Sequence, residues 1–110
     1  MQTSSEILTL LKIALAELTD NCYHYVSAPN TTPPYIVWTE DGDNDLLASN
    51  LHAERCITGT IDLYTLQEDD SLQSQIEETL ESLGVSWFFN SFQFETETGL
   101  LHFEWVFGVT

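Results

Sequence analysis

An α+β domain is what this sequence predicts: a mainly antiparallel sheet of about four strands, two helices packed on one face, and a C-terminal β-hairpin. Three patterns point there. Apolar residues recur at helical spacing twice, near the N-terminus and again after Glu68-Asp69-Asp70. Between these stretches, Arg55 to Thr65 alternates with period two, as a half-buried strand does. The last third holds two runs rich in aromatic and β-branched residues, joined by Glu97-Thr98-Gly99. A chain of 110 residues has room for one domain, spanning 1–110.

The first helix is expected from Ser4 to about Asn21. Ile7, Leu8, Leu11, Leu15 and Leu18 form its apolar stripe, and Thr3-Ser4-Ser5-Glu6 offers a capping box. Cys22-Tyr23-His24-Tyr25-Val26 either extends that helix or opens a short strand. Ser27 to Pro34, with three prolines and two threonines, reads as a loop. Pro33-Pro34 then opens the apolar strand Tyr35-Ile36-Val37-Trp38-Thr39, which runs into an acidic loop, Glu40-Asp41-Gly42-Asp43-Asn44-Asp45.

Leu46 to His52 is ambiguous. In the strand that follows, Ile57, Gly59, Ile61 and Leu63 take one side, and Cys56, Thr58, Thr60, Asp62 and Tyr64 the other. The second helix is predicted from about Ser71 to Leu83, with acid at its start, a Leu72/Ile76/Leu80/Leu83 stripe, and Gly84 placed for a left-handed cap. In the hairpin, Leu101, Phe103, Trp105, Phe107 and Val109 share a face opposite His102, Glu104, Val106 and Gly108. Strict alternation in the first arm puts Phe88, Phe92 and Phe94 on one face with Asn90, and Trp87 and Phe89 on the other. Both faces would then carry aromatics. Two helices cover only one side of a small sheet, so apolar residues opposite them are expected to be exposed or covered by another subunit.

Charge excludes several functions. Eighteen acidic residues against two basic ones, Lys12 and Arg55, give a formal net charge of -16. Such a surface cannot neutralise phosphates or an anionic bilayer, so neither direct nucleic-acid binding nor membrane-surface binding is expected. No run is long and apolar enough for a membrane span, and the N-terminus lacks the cationic region of a signal peptide. Cys22 and Cys56 have no CxxC or zinc-finger spacing and read as free, buried thiols in a reducing compartment.

The chemistry-bearing residues do not assemble into a catalytic motif. Asp41, Asp43 and Asp45 have the opening spacing of an EF-hand loop, but Leu46 stands where that loop needs glycine and His52 where it needs glutamate. A solvated loop or a contact with a protein partner is the expectation, with no metal or cofactor. His24, His52 and His102 are scattered, and Glu95, Glu97 and Glu104 read as solvated carboxylates flanking the hairpin. The catalytic set is therefore expected to be empty, and the protein not to be an enzyme. Arg55 should find a carboxylate within the chain or across a subunit boundary. Trp38 and Trp105 lie on core patterns, whereas Trp87, just past Gly84, suits an interface.

The order of these pieces carries a resemblance. A helix, the proline-bounded Pro34-Tyr35-Ile36-Val37-Trp38, a polar crossing segment, the long strand Ile57-Thr58-Gly59-Thr60-Ile61-Asp62-Leu63-Tyr64, a second helix, then Trp87 and Glu97-Thr98-Gly99-Leu100-Leu101-His102-Phe103-Glu104-Trp105 resemble the small tail-completion or tail-terminator proteins of long-tailed phages and prophages. The similarity spans most of the chain and lies in order and spacing.

The resemblance implies a structural protein in the virion tail, assembled in the bacterial host cytoplasm. It would form a ring with copies of itself, typically six, cap the tail tube, and meet the tail tube protein and a head-completion protein. Glu40, Asp41, Asp43, Asp45, Arg55, Trp87 and Phe89 are the candidate interface residues. A head-neck adaptor would share this habit. From a different class, an acidic mimic of DNA that inhibits a DNA-binding enzyme also fits the charge, provided the acids concentrate on one face.

Overall fold

The computed structural model describes residues 3–27, 31–43 and 57–109, and these form five strands and two helices. Helix α1 spans Ser4–Leu18 and α2 Leu72–Ser82. The strands are β1 (Cys22–His24), β2 (Tyr35–Asp43), β3 (Ile57–Thr65), β4 (Ser86–Glu95) and β5 (Leu100–Val109), in the spatial order β1-β2-β3-β5-β4. Every neighbouring pair is antiparallel except β1 and β2, which run parallel.

The α+β class with two helices on one face agrees with the sequence reading; the strand count and the direction of one strand do not. The difference starts where α1 stops. Thr3 caps the helix as expected, its hydroxyl oxygen accepting from the Glu6 amide at 3.1 Å. The helix ends at Leu18, short of Asn21, because Thr19 takes an extended conformation. The Asn21 carbonyl instead accepts from the Ile36 amide, and the Asn21 side chain donates to the Thr32 carbonyl. That leaves Cys22-Tyr23-His24 extended beside Ile36-Val37-Trp38, where strand pairing satisfies the backbone groups the helix no longer pairs.

A second correction concerns the acidic stretch. Glu40 to Asp43 belongs to β2, not to a loop, because β3 offers backbone partners as far as Ile57. The register shifts between Glu40 and Gly42, so Asp41 is the unpaired residue of a bulge. Asn44, Asp45, the 46–52 stretch, Arg55 and Cys56 lie outside the described residues.

The third correction is on β4, whose register also shifts, between Phe89 and Ser91. Before the shift Trp87 faces Phe107 and Phe89 faces Trp105; after it Phe92 faces Phe103 and Phe94 faces Leu101. Asn90 is the extra residue. By absorbing one position it reverses the alternation, so Trp87, Phe89, Phe92 and Phe94 all project on the helix-bearing face, and Phe88 alone turns to the other.

Helix α2 begins and ends as its sequence suggests. The acid at its start is used by Asp70, Oδ1 accepting from the Leu72 amide at 2.9 Å and Oδ2 from the Thr65 hydroxyl at 2.7 Å. At the other end Gly84 sits at φ 70°, and the Gly84 and Val85 amides return to the Glu81 and Leu80 carbonyls. The core lies between the helices and one face of the sheet. Leu11 and Leu15 of α1 and Ile76 and Leu80 of α2 close over Ile36, Trp38, Ile61, Leu63, Phe103, Trp105 and Phe107. Each fully buried aliphatic side chain of this set contributes about 1.5–3 kcal/mol. The indole N–H groups of Trp105 and Trp87 donate to Glu77 and Glu81, one turn apart on α2, at 2.9 and 2.7 Å. This spacing lets one helix face satisfy both donors.

Candidate functional site: an edge strand and an open sheet face

Among the described residues strand β4 is a sheet edge, and one row of its backbone donors and acceptors has no strand partner there. From Ser86 to Phe94 it carries no charged residue, in a chain of net charge -16. Phe88, Phe89, Phe92 and Phe94 are 56%, 46%, 47% and 59% exposed, an unusual concentration of apolar surface for one strand. The inner halves of two of these rings are spoken for: Phe92 lies 4.8 Å from Phe103, centroid to centroid, and Phe89 meets Trp105 edge-on at 5.7 Å. Their outer halves extend past the cover of the helices.

The predicted interface residues divide into separate places. Phe89 belongs to the exposed aromatic strip, and Trp87 is half-buried against the core with its N–H on Glu81. Glu40 and Asp41 lie on β2, with β3 and β5 between them and β4; Asp41 is exposed at its bulge, and Asp43 ends the strand. Glu40 is held by two groups of the β1 edge, His24 Nε2 at 2.8 Å and the Tyr25 hydroxyl at 2.9 Å. His24 is itself stacked between Tyr25 and Trp38. Burial alone would raise the Glu40 carboxyl, but the hydrogen bonds from His24 and Tyr25 outweigh it and lower its pKa. Asp45 and Arg55 are among the residues not described.

The face of the sheet away from the helices holds a cluster that the sequence reading did not assemble. Asp62 of β3 sits directly opposite Glu104 of β5, and Tyr64 opposite His102. His102 Nε2 lies 2.6 Å from Asp62 Oδ1, and its Nδ1 lies 3.8 Å from Glu95 Oε2. Asn90, the bulge residue, donates to Glu104 Oε1 at 2.6 Å. The rings of Tyr35, Tyr64 and His102 stack in a row at 4.8 and 4.3 Å. His102 is thus not the lone outward histidine the sequence suggested, nor are Glu95 and Glu104 merely solvated. Alternation on β3 and β5 placed Asp62, His102 and Glu104 on this face, but only the pairing of these strands, forty residues apart between Asp62 and His102, brings them together.

This environment sets the ionisation of the cluster. The hydrogen bond to Asp62, reinforced by the charges of Asp62, Glu95 and Glu104, raises the His102 pKa above its ordinary 6.5 against the opposing effect of burial. Burial, then the Asp62 charge, raises Tyr64, so its hydroxyl stays protonated and is no nucleophile at neutral pH. A histidine whose folded pKa exceeds its unfolded one stabilises the fold fully below about pH 6.5, and that contribution is lost as pH rises through the folded value. Thermal melts in metal-free buffer are expected to show a melting temperature that declines from pH 6.5 into the mildly alkaline range. His102→Gln should flatten that decline; an unchanged slope in the variant would place its origin elsewhere.

Against known proteins, the chain matches no family model and no curated protein. Among the described residues no helix is long and apolar enough to cross a membrane. The half-buried Cys22 thiol, pushed up to about 11 by burial, is un-ionised at neutral pH and so not primed as a nucleophile.

Proposed function

We propose that this chain is a structural protein of a phage or prophage tail, which assembles as a ring, caps the tail tube and joins it to the head-completion complex through protein contacts alone. The observation that carries this reading is β4: an edge strand without charge from Ser86 to Phe94 and rich in exposed aromatics, on an otherwise strongly acidic molecule. Copies of a chain at -16 repel one another over most of their surface, and the uncharged stretch of β4 with its exposed phenylalanines is a place where that repulsion is weak and apolar surface is available to bury. The order of elements along the chain, which resembles the tail-completion proteins, supplies the kind of assembly.

Mimicry of DNA is less well supported. Carboxylates occur on both sides of the sheet, at Glu77, Glu78 and Glu81 of α2 and at Asp62, Glu95 and Glu104 of the open face, without concentrating on one surface. Light scattering during size exclusion, over a tenfold concentration range and two salt concentrations, tests the proposal together with sedimentation on purified tail tubes. A ring-sized oligomer, or a monomer that binds tube ends, is expected. A monomer that ignores tubes and binds a basic DNA-processing enzyme in a salt-sensitive way would overturn it.

A further inference from the structure

The geometry points to a binding site for a divalent first-row transition-metal ion on the open face of the sheet, formed by Asp62, His102 and Glu104. This inference is independent of the ring reading. One ligand atom from each of these residues lies within 4.8 Å of the other two. Ligands around a zinc-sized ion at about 2.0–2.2 Å stand roughly 3.5 Å apart, so side-chain adjustment of about 1 Å brings all three to one centre. The backbone beneath is rigid, since β3 and β5 are both interior strands paired through nine consecutive positions.

The surroundings match what a metal ligand set needs. Glu95 stands behind His102 on the Nδ1 side, where a carboxylate orients an imidazole that coordinates through Nε2. Asn90 engages Oε1 of Glu104 and leaves its second oxygen for an ion. Imidazole with two carboxylates favours zinc or manganese over calcium or magnesium, which prefer oxygen alone. Three protein ligands on an open face leave a fourth position toward solvent.

Charge supplies a separate reason. Asp62 and Glu104 are like charges directly opposed on adjacent strands, a destabilising arrangement, with Glu95 close by as a third. Among the described residues the sole Lys or Arg is Lys12, exposed on α1 in the helix layer, so no described lysine or arginine stands beside the three carboxylates. A divalent ion among them offsets that like-charge repulsion. On binding, the proton between His102 Nε2 and Asp62 is released to solvent and the ion takes its place.

Chelator-stripped, full-length protein titrated calorimetrically with Zn²⁺ tests the site. One ion per chain is expected, with proton release, and with affinity weakened at least about tenfold by Asp62→Asn, by Glu104→Gln and by His102→Gln. Asp41→Asn with Asp43→Asn should leave binding unchanged, which separates this site from the acidic end of β2. Circular dichroism establishes that each variant is folded; Glu104→Gln, which retains the amide contact to Asn90, carries the test if Asp62→Asn is not. Absence of saturable binding below about 1 mM, or binding indifferent to all three substitutions, would overturn the proposal.

Discussion

Gly59→Ala is expected to destabilise the fold by about 3 kcal/mol or more, at the upper end of what overpacking a core costs. Gly59 is buried in β3, opposite Phe107 on one side and Glu40 on the other. A Cβ there would fall on the Thr39 carbonyl oxygen and lie 2.7 Å from Phe107 Cζ and 2.9 Å from Cε1. The two obstacles differ in kind. Phe107 is a side chain that can be trimmed, whereas the Thr39 carbonyl is backbone of the paired strand beside the β2 bulge and has nowhere to go. Urea denaturation should therefore show a large loss in Gly59→Ala and only partial recovery when Phe107→Leu is added. Gly108→Ala is the contrast, because a Cβ there meets nothing within 4 Å, and its effect should stay within about 0.5 kcal/mol. Equal effects at the two glycines, or full rescue through Phe107, would show that close strand approach at Thr39 is not what requires glycine at 59.

The features legible in the sequence are those whose causes are local. The apolar stripe of α2, its stop at Gly84 and the in-out alternation of β3 and β5 each depend on residues within a turn or a strand of one another, and the structure has them where the pattern put them. Strand β1 was ambiguous because Cys22-Tyr23-His24 becomes a strand only through its distant pairing with Ile36-Val37-Trp38, and nothing local chooses between helix and strand there. The β4 bulge did leave a trace. The aromatics change phase from Trp87 and Phe89 to Phe92 and Phe94, with Asn90-Ser91 at the break, which strict alternation misreads as aromatics on both faces. The carboxylate–histidine cluster was beyond reach for a third reason: its members come from three strands, and a slip of one residue between β3 and β5 would have put Asp62 on the opposite face from Glu104. The candidate interface divided for the same reason, with Phe89 on the exposed edge and Glu40 engaged by His24 and Tyr25.

If the chain assembles as proposed, replacing Phe88 and Phe94 together by glutamate is expected to abolish self-association while leaving the monomer folded. The two residues are the most exposed on β4, at 56% and 59%, and they project on opposite faces of the strand, Phe88 beside Val106 and Phe94 beside Leu101. Among the described residues neither ring stacks on another aromatic in the way those of Phe89 and Phe92 do, so the core loses little and the melting temperature should move by only a few degrees, about 1 kcal/mol. The contact between copies is another matter. Any mode of docking that covers β4, whether by strand addition along its backbone or by packing against either face, would bury a carboxylate in a chain that has only two basic residues, at a cost of several kcal/mol, or a loss of more than about a hundredfold in association constant. Glutamate also extends the acidic surface over a stretch, Ser86 to Phe94, that carries no charge in the native chain. Light scattering of the double variant at the highest concentration that assembles the native chain, with a thermal melt of the same sample, reads both quantities. Loss of the oligomer with the melt retained would assign the subunit contact to β4; a ring of unchanged size would move that contact to the β1 edge, where Tyr25 and Val26 are exposed.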